Sequence, residues 1–212
     1  MSARADTVRF IREFVRDPLH TASVAPSSRA LAAVMTQPLP RAGEPVVVEL
    51  GPGTGAFTRA IQERTAGRVR HVAVELNPDW ANLLQERCPE VEVVRADARE
   101  LPRLLADRGI GQVDAVVSGL PWVAYSPAPD GRGLHTLIVE SLAPTGFFTQ
   151  FAYSWTRWAP PARAQLASLR AHFDEVTTSR TVWRNLPPAV VHTARRPRKD
   201  GSGKPDSGPE RS

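Results

Sequence analysis

The chain has 212 residues, 42% of them hydrophobic and 23% charged, which suits one soluble domain with a core of its own. No apolar run is long enough to span a bilayer, and the single cysteine, Cys88, excludes an internal disulfide and a cysteine-based zinc cluster. The formal net charge of +5 favours an anionic partner, which is either nucleic acid or an anionic lipid surface.

Residues 1–40 are predicted to form two helices ahead of the main domain. The sequence starts without the apolar segment of a signal peptide, which favours the cytoplasm. Residues 7–15 predict a basic amphipathic helix, with its apolar face either inserted into a membrane surface or packed on the domain that follows. A second helix is expected to start at Ser27 or Ser28, whose hydroxyl caps it, and to run to Met35.

From residue 41 the pattern changes to alternating strands and helices. Five short apolar runs are separated by helix-length crossovers, at residues 46–50, 72–75, 91–94, 113–118 and 146–153. Two more, at 176–183 and 189–194, are close enough to form a hairpin. We therefore predict an α/β fold with a doubly wound, mostly parallel seven-stranded sheet ending in an antiparallel pair. Residues 197–212 are polar and rich in Gly, Pro and Ser, and are predicted to be a disordered tail.

The sharpest signal is Glu-Leu-Gly-Pro-Gly-Thr-Gly at residues 49–55, between a predicted strand and a predicted helix. Its glycines allow a tight turn and the close approach of a nucleotide-like ligand. Glu75 ends the second strand and Asp97 follows the third, so both carboxylates are expected at the same edge of the sheet as the glycines. There Glu75 is placed to accept hydrogen bonds from two ribose hydroxyls, and Asp97 from an adenine amino group.

The glycine loop also satisfies the dinucleotide fingerprint G-x-G-x-x-[GA], so NAD is an alternative ligand. Pro52 counts against NAD, because proline removes a backbone N–H from the loop that would bind the pyrophosphate. The chain also leaves no room for a substrate domain beside a nucleotide-binding domain. A glycine turn without a ligand is the remaining alternative.

In the glycine loop and the acids after the second and third strands, the chain resembles the class I S-adenosylmethionine-dependent methyltransferases over about residues 46–120. The resemblance implies a Rossmann-like methyltransferase domain at residues 41–196, with S-adenosylmethionine as cofactor and no metal. The cofactor-binding positions that it implies follow the first four strands, and are Glu49, Gly51, Gly53, Gly55, Glu75, Asp97, Ala98 and Ser118.

Four further segments resemble the bacterial phospholipid N-methyltransferases, which convert phosphatidylethanolamine stepwise to phosphatidylcholine. They extend the resemblance to about residues 8–196, and lie at residues 17–32, 118–121, 150–153 and 184–189. The resemblance implies a cytoplasmic, peripherally membrane-associated enzyme that methylates the amine of a phospholipid headgroup at an anionic membrane surface.

The loop after the fourth strand is expected to hold the acceptor. In the rRNA adenine dimethyltransferases, to which this family is similar, the corresponding motif is Asn-Leu-Pro-Tyr. Gly119 stands in place of the asparagine that would hold a planar adenine amino group, which disfavours nucleic acid. For an ammonium acceptor, we expect the carbonyls of Gly119 and Leu120, with Tyr153 or water, to accept the proton. Trp122 is predicted either to bind the methylated ammonium by cation–π attraction or to pack in the core.

Arg184 and Tyr153 are predicted to bind the substrate phosphodiester, since guanidinium donors suit phosphate oxygens. The alternative for Arg184 is an exposed arginine in a turn. Three rival functions stay open at this stage: methylation of a soluble small molecule or natural product, methylation of rRNA adenine, and cofactor or membrane binding without catalysis. The sequence carries no sign of an oligomeric state.

Overall fold

The computed structural model describes residues 27–121 and 132–199. The predicted helix at residues 7–15, Trp122 and most of the predicted tail lie outside these ranges. The described chain contains seven strands, β1 Val46–Leu50, β2 Arg70–Glu75, β3 Glu92–Arg95, β4 Val113–Ser118, β5 Leu142–Tyr153, β6 Phe173–Thr178 and β7 Ala189–Pro197. Its α-helices are α1 Arg29–Thr36, α2 Ala56–Thr65, α3 Pro78–Arg87, α4 Leu101–Ala106, α5 Leu134–Ser141 and α6 Pro160–His172.

The strands form one sheet in the order β3-β2-β1-β4-β5-β7-β6. Strands β1 to β5 are parallel, and β7 runs antiparallel between β5 and β6. This confirms the predicted doubly wound sheet with a C-terminal antiparallel pair. Because the order reverses between β1 and β4, the carboxyl ends of these strands border the crevice in which such sheets bind ligands.

Both faces of the central strands are covered, which explains why they read as nearly continuous apolar runs. On one face, α1 and α2 pack against alternate residues of the sheet, among them Val47, Ala115 and Val117. On the other, α4, α5 and α6 pack against Val48 and Val116 and their neighbours. The loops that follow the carboxyl ends of the strands carry the predicted site.

Two helices start as the sequence predicts. The Leu31 backbone N–H donates to the hydroxyl of Ser28 at 3.1 Å, so Ser28 rather than Ser27 caps α1. At α3, the side chain of Asn77 accepts hydrogen bonds from two backbone N–H groups of the first turn, and Pro78 follows as the first helical residue.

Strand β6 lies earlier than predicted, at residues 173–178 instead of 176–183. The reason is Phe173, which is fully buried and stacks on Phe148 with ring centroids 6.3 Å apart, so the strand begins directly after α6. The apolar residues at 182 and 183 were assigned to the strand by the sequence pattern. They belong to the connection at residues 179–188, where Val182 forms an isolated bridge to Ala189.

Strand structure reaches into the predicted tail. Strand β7 includes Pro197, and the Arg198 backbone N–H donates to the carbonyl of His172 at 2.9 Å. The Arg198 side chain also donates to Asp174 Oδ1 at 2.7 Å. No helix within residues 27–121 and 132–199 combines the length and the hydropathy needed to cross a bilayer.

Candidate functional site

The loop after β1 can be built only with glycine at its first position. Gly51, Gly53 and Gly55 have positive φ angles of 66°, 51° and 79°. The Gly51 N–H donates to the carbonyl of Val74 at 2.9 Å, which fixes the loop to β2. A Cβ at Gly51 would lie 2.6 Å from Leu120 Cδ2, so the Leu120 side chain would have to move, and the positive φ would strain any residue other than glycine.

Gly53 differs from its neighbour because the space beside it is open. A Cβ at this position would have no atom within 4 Å, so the loop presents bare backbone on that side. The Gly53 N–H donates to Glu75 Oε2 at 3.1 Å, and the Asn77 N–H donates to Glu75 Oε1 at 2.9 Å. Glu75 therefore joins the ends of β1 and β2 at the edge of an open cradle.

The Glu75 carboxylate is buried, with 8% of its surface exposed. Burial raises its pKa, and the backbone N–H groups of Asn77, Gly53 and Leu76 act in the opposite direction. A carboxylate in such a position gains strongly from further donors, because each added hydrogen bond replaces the water that burial removed. The hydroxyl pair of a ribose supplies donors of this kind.

Asp97 stands at the end of the neighbouring strand, β3. Its Oδ1 accepts a hydrogen bond from the Arg99 N–H at 2.9 Å and caps the short turn that begins at Ala98. Its side chain is partly exposed, and no residue within 27–121 and 132–199 donates a hydrogen bond to Oδ2. That second oxygen is available to the amino group of a ligand.

Glu49 lies beneath the loop rather than on its open side. The Thr58 hydroxyl donates to Glu49 Oε2 at 2.7 Å, and His71 Nε2 is 3.2 Å from the same oxygen. All three side chains are buried, and Glu49 Oε1 has no hydrogen-bond partner within the described ranges. Its observed contacts support the loop, and direct contact with a cofactor stays a prediction. Sequence reasoning missed Thr58 and His71, although a buried glutamate in an apolar strand requires such partners.

The loops after β1 and β4 meet at Gly119. The Gly119 N–H donates to the carbonyl of Leu50 at 2.8 Å, and a Cβ on Gly119 would lie 2.6 Å from the carbonyl oxygen of Gly51. Ser118 is fully buried, and its hydroxyl accepts from the Leu120 N–H at 3.3 Å. Backbone packing against Gly51 therefore requires glycine at position 119.

Tyr153 ends β5, two strands along the sheet from the glycine loop. Its half-buried ring meets Phe151 edge-on at 5.5 Å between centroids, and Phe151 in turn meets Phe57 at 5.9 Å. Phe57 borders Gly119, so aromatic contacts connect Tyr153 with the site. Burial raises the pKa of Tyr153, so its phenol keeps its proton at neutral pH.

Arg184 is exposed on the connection between β6 and β7, and its neighbour Asn185 holds that connection in place. Asn185 Oδ1 accepts from the Ser28 N–H at 2.9 Å, and its Nδ2 donates to the Pro187 carbonyl at 2.7 Å. The Ser154 N–H donates to the Pro188 carbonyl at 2.8 Å, which attaches the connection to the end of β5. Sequence reasoning missed Asn185, because its partner lies 157 residues away.

The described residues fit an adenosine-containing cofactor. The bare backbone at Gly53 gives it room, Glu75 offers acceptors for a ribose, and Asp97 offers one for an adenine amino group. The structure brings the glycine loop, Glu75, Gly119 and Leu120 together. Asp97 with Ala98 lies one strand away, and Tyr153 and Arg184 lie on the far side. No cluster of three or more His, Cys, Asp and Glu side chains that suits a metal occurs in the described part of the chain.

Comparison with known proteins agrees with this geometry. Residues 47–146 match a family model described as a methyltransferase domain. Over 196 residues, 90% of this chain and 96% of the relative, the chain is 37% identical to the ornithine lipid N-methyltransferase of Singulisphaera acidiphila. It is also 35% identical to ribosomal RNA small subunit methyltransferase A of Leptothrix cholodnii, over 42% of this chain and 31% of that protein.

Among solved structures, one similar fold is the 1,6-didemethyltoxoflavin-N1-methyltransferase of Burkholderia thailandensis, with bound 1,6-didemethyltoxoflavin and S-adenosylhomocysteine. The TM-score is 0.60 at 20% identity, and the match covers 93% of this chain and 92% of that one. At this level of identity the likeness concerns the fold alone. It extends over nearly the whole chain.

Proposed function

Because the chain belongs to the class I S-adenosylmethionine-dependent methyltransferases, we propose that it transfers the methyl group to the amine of a membrane lipid. The observation that carries this proposal is the match to the Singulisphaera lipid N-methyltransferase along nearly the full length of both chains. The regions outside the cofactor loops, which bind the acceptor in such enzymes, therefore share in the match. The acceptor is the predicted phosphatidylethanolamine or another lipid with a primary amine, such as ornithine lipid.

An amine reacts only after it has lost its ammonium proton, because the nitrogen lone pair must be free to form the new bond. S-adenosylmethionine supplies the sulfonium methyl group, with the carbon–sulfur bond broken as the nitrogen–carbon bond forms. The protein's task is to place the nitrogen and to lead the proton away.

We assign the placing of the nitrogen to the carbonyls of Gly119 and Leu120, which accept hydrogen bonds from the ammonium. The proposal is supported by the close packing of Gly119 against Gly51, which fixes the start of this loop and so limits its reorganisation. Tyr153 keeps its own proton at neutral pH, because burial raises its pKa. Its phenol therefore orients the amine or a water molecule, and the water takes the proton. Trp122, outside the described residues, stays predicted as the cation–π contact for the methylated product.

Arg184 is proposed to bind the anionic group beside the lipid amine. Phosphatidylethanolamine carries a phosphodiester there and ornithine lipid a carboxylate, and a guanidinium suits both. The proposal is supported by the exposure of Arg184 and by the Asn185 contacts that hold its connection near Tyr153. An acceptor entering from this side would present its amine to the loop after β4.

The direct test is incubation of the full chain with labelled S-adenosylmethionine and detergent-dispersed phosphatidylethanolamine, ornithine lipid, a total lipid extract or ribosomal RNA. We expect label in a lipid fraction, and the product identifies the acceptor. Label confined to water-soluble products of a cell extract would overturn the proposal and favour a soluble metabolite. Label in RNA would overturn it in favour of adenine methylation. We do not expect that result, because Gly119 stands in place of the asparagine that would hold an adenine amino group.

Arg184→Ala tests the acceptor side separately. We expect the KM for lipid to rise about tenfold, the scale of one charge-assisted hydrogen bond, with unchanged affinity for S-adenosylhomocysteine. Arg87→Ala, which removes an exposed arginine at the end of α3, is the matched control. Equal losses of lipid turnover and cofactor affinity in Arg184→Ala would make the residue structural.

A further inference from the structure

Four large apolar side chains are exposed on two segments next to the acceptor side. Trp155 and Trp158 lie in the 3-10 turn Ser154–Trp158 that follows β5, and Trp183 and Leu186 lie in the connection between β6 and β7. Their exposure runs from 69% to 78%, far above that of a core residue. We name these four residues the tryptophan surface.

The two segments are neighbours in space, although Trp155 and Trp158 precede Trp183 by 25 or more residues along the chain. The Ser154 N–H donates to the carbonyl of Pro188 at 2.8 Å, so the turn with Trp155 starts where the connection ends. Val182, directly before Trp183, bridges Ala189, which pairs with Tyr153 at the end of β5. The exposed side chains therefore project from one region of the molecule.

The charged residues on these two segments have one sign. Residues 154–163 and 179–188 contain four arginines and no aspartate or glutamate. One of these, Arg157, places its guanidinium 4.5 Å from the ring centroid of Trp158, so cation and aromatic ring occupy the same spot. A partner that covers this surface must combine apolar groups with negative charge.

We propose that the tryptophan surface docks the enzyme on an anionic lipid bilayer. Tryptophan concentrates at the boundary between headgroups and acyl chains, where its ring is buried and its N–H stays hydrated. Arginines beside it bind lipid phosphates, each contributing to attraction towards a negatively charged surface. Exposed tryptophans alternating with arginines match this boundary layer better than they match the flat polar surface of a soluble protein.

Docking through this surface also explains where a lipid substrate enters. The turn with Trp155 begins directly after Tyr153, and Trp183 adjoins Arg184 in sequence, so the docked face borders the proposed acceptor side. A lipid amine then reaches the site without leaving the membrane. This consequence rests on the proposed lipid function, whereas vesicle binding itself does not.

The test is co-sedimentation of the full chain with vesicles of phosphatidylcholine, with or without phosphatidylglycerol as the anionic lipid. We expect binding to the anionic vesicles, weakened about tenfold in each of Trp155→Ala, Trp158→Ala and Trp183→Ala. This corresponds to the loss of roughly 60 Å² of inserted apolar ring surface. Arg157→Gln is expected to weaken binding about fivefold, and the matched control Arg87→Gln to leave it unchanged.

Affinity for S-adenosylhomocysteine, measured by calorimetry, shows that each variant is folded. Turnover with detergent-dispersed lipid should survive in the tryptophan variants, while turnover on vesicles falls. Undiminished vesicle binding by all three single variants overturns the proposal. Failure of the unmodified chain to bind anionic vesicles also overturns it, even if the chain binds RNA through these tryptophans. Vesicle binding without methylation of any lipid would support docking through the tryptophan surface and refute the proposed function.

Discussion

The two halves of the sheet are built by different means. In the cofactor half, β1 to β3 and their loops, the candidate site lies at the ends of adjacent parallel strands, joined by contacts such as that between the Gly53 N–H and the Glu75 carboxylate. In the acceptor half, β5 to β7, the site depends on a connection that one side chain ties to a distant helix, through Asn185 and Ser28. The second half also presents large exposed side chains.

This difference separates what the two halves do. We propose that the cofactor is bound by the cradle beside Gly53, whose neighbouring loops pack closely where Gly119 meets the Gly51 carbonyl. The proposed lipid acceptor would need a surface that can contact lipid, and we propose the exposed tryptophans for that role. Variants in the first half should therefore change cofactor affinity and stability, and variants in the second half should change lipid turnover.

The largest effect is expected from Glu75→Ala in the cofactor half. Loss of the carboxylate removes the acceptor for the Gly53 and Asn77 N–H groups and for the cofactor. Affinity for S-adenosylhomocysteine should fall at least about a hundredfold, the scale of two hydrogen bonds to a charged group. Calorimetry measures the loss, with Glu86→Ala on the exposed side of α3 as the control. Unchanged affinity would contradict the assignment of cofactor binding to this half, because Glu75 would then only support the loop.

The sequence predicted the cofactor half well, because its signals are local. A glycine loop after an apolar strand and an acid at the next strand end specify their own positions through the parallel register. The acceptor half was predicted less well. The predicted strand at residues 176–183 starts three residues too late, because the burial of Phe173 against Phe148 is a tertiary contact that strand periodicity does not encode. Asn185 was missed for the same reason.

Gly119→Ala tests the point at which the two halves meet. A Cβ at this position would lie 2.6 Å from the carbonyl oxygen of Gly51, so the backbone of one loop must move. We expect a loss of roughly 1–3 kcal/mol of unfolding free energy, the usual cost of overpacking, together with weaker cofactor binding and slower turnover. Gly111→Ala is a matched control, since a Cβ there meets nothing within 4 Å. Urea unfolding that is equal for both variants would contradict the packing argument.

Asn185→Ala should separate the halves more sharply. The Ser28 N–H loses its acceptor and the connection with Arg184 loses its attachment to α1, at a cost of about 1–2 kcal/mol in stability. The KM for lipid should rise while cofactor affinity stays unchanged, because no contact of Asn185 reaches the glycine loop. Asn185→Asp keeps the acceptor for the Ser28 N–H but places a buried carboxylate oxygen against the Pro187 carbonyl, so it should recover little of the lost stability. A fall in cofactor affinity equal to the rise in KM would show that the two halves are coupled.

The smallest expected effect is a difference in how the halves respond to acid. His135 on α5 and His192 on β7 are buried, and burial lowers the pKa of each to about 4, helped by His172 and Arg170 respectively. Well above pH 6.5 both are neutral in the folded and the unfolded chain, so neither costs stability there. Below that, the unfolded chain binds protons that the folded chain does not, so stability falls as the pH drops towards 4, by about 1 kcal/mol per histidine near pH 5.5.

The contribution of Glu75 to stability changes in the opposite direction as the pH falls. Its pKa is raised in the folded chain, mainly by burial, so acidification protonates it before its unfolded counterpart and adds stability to the cofactor half. As the pH is lowered towards 5.5, the backbone amides of β5 to β7 should therefore lose protection against hydrogen exchange before those of β1 to β3. The double variant His135→Gln/His192→Gln should remove most of this difference, since a neutral amide does not titrate. Uniform loss of protection across the sheet would mean that the two halves unfold as one unit, however differently their sites are built.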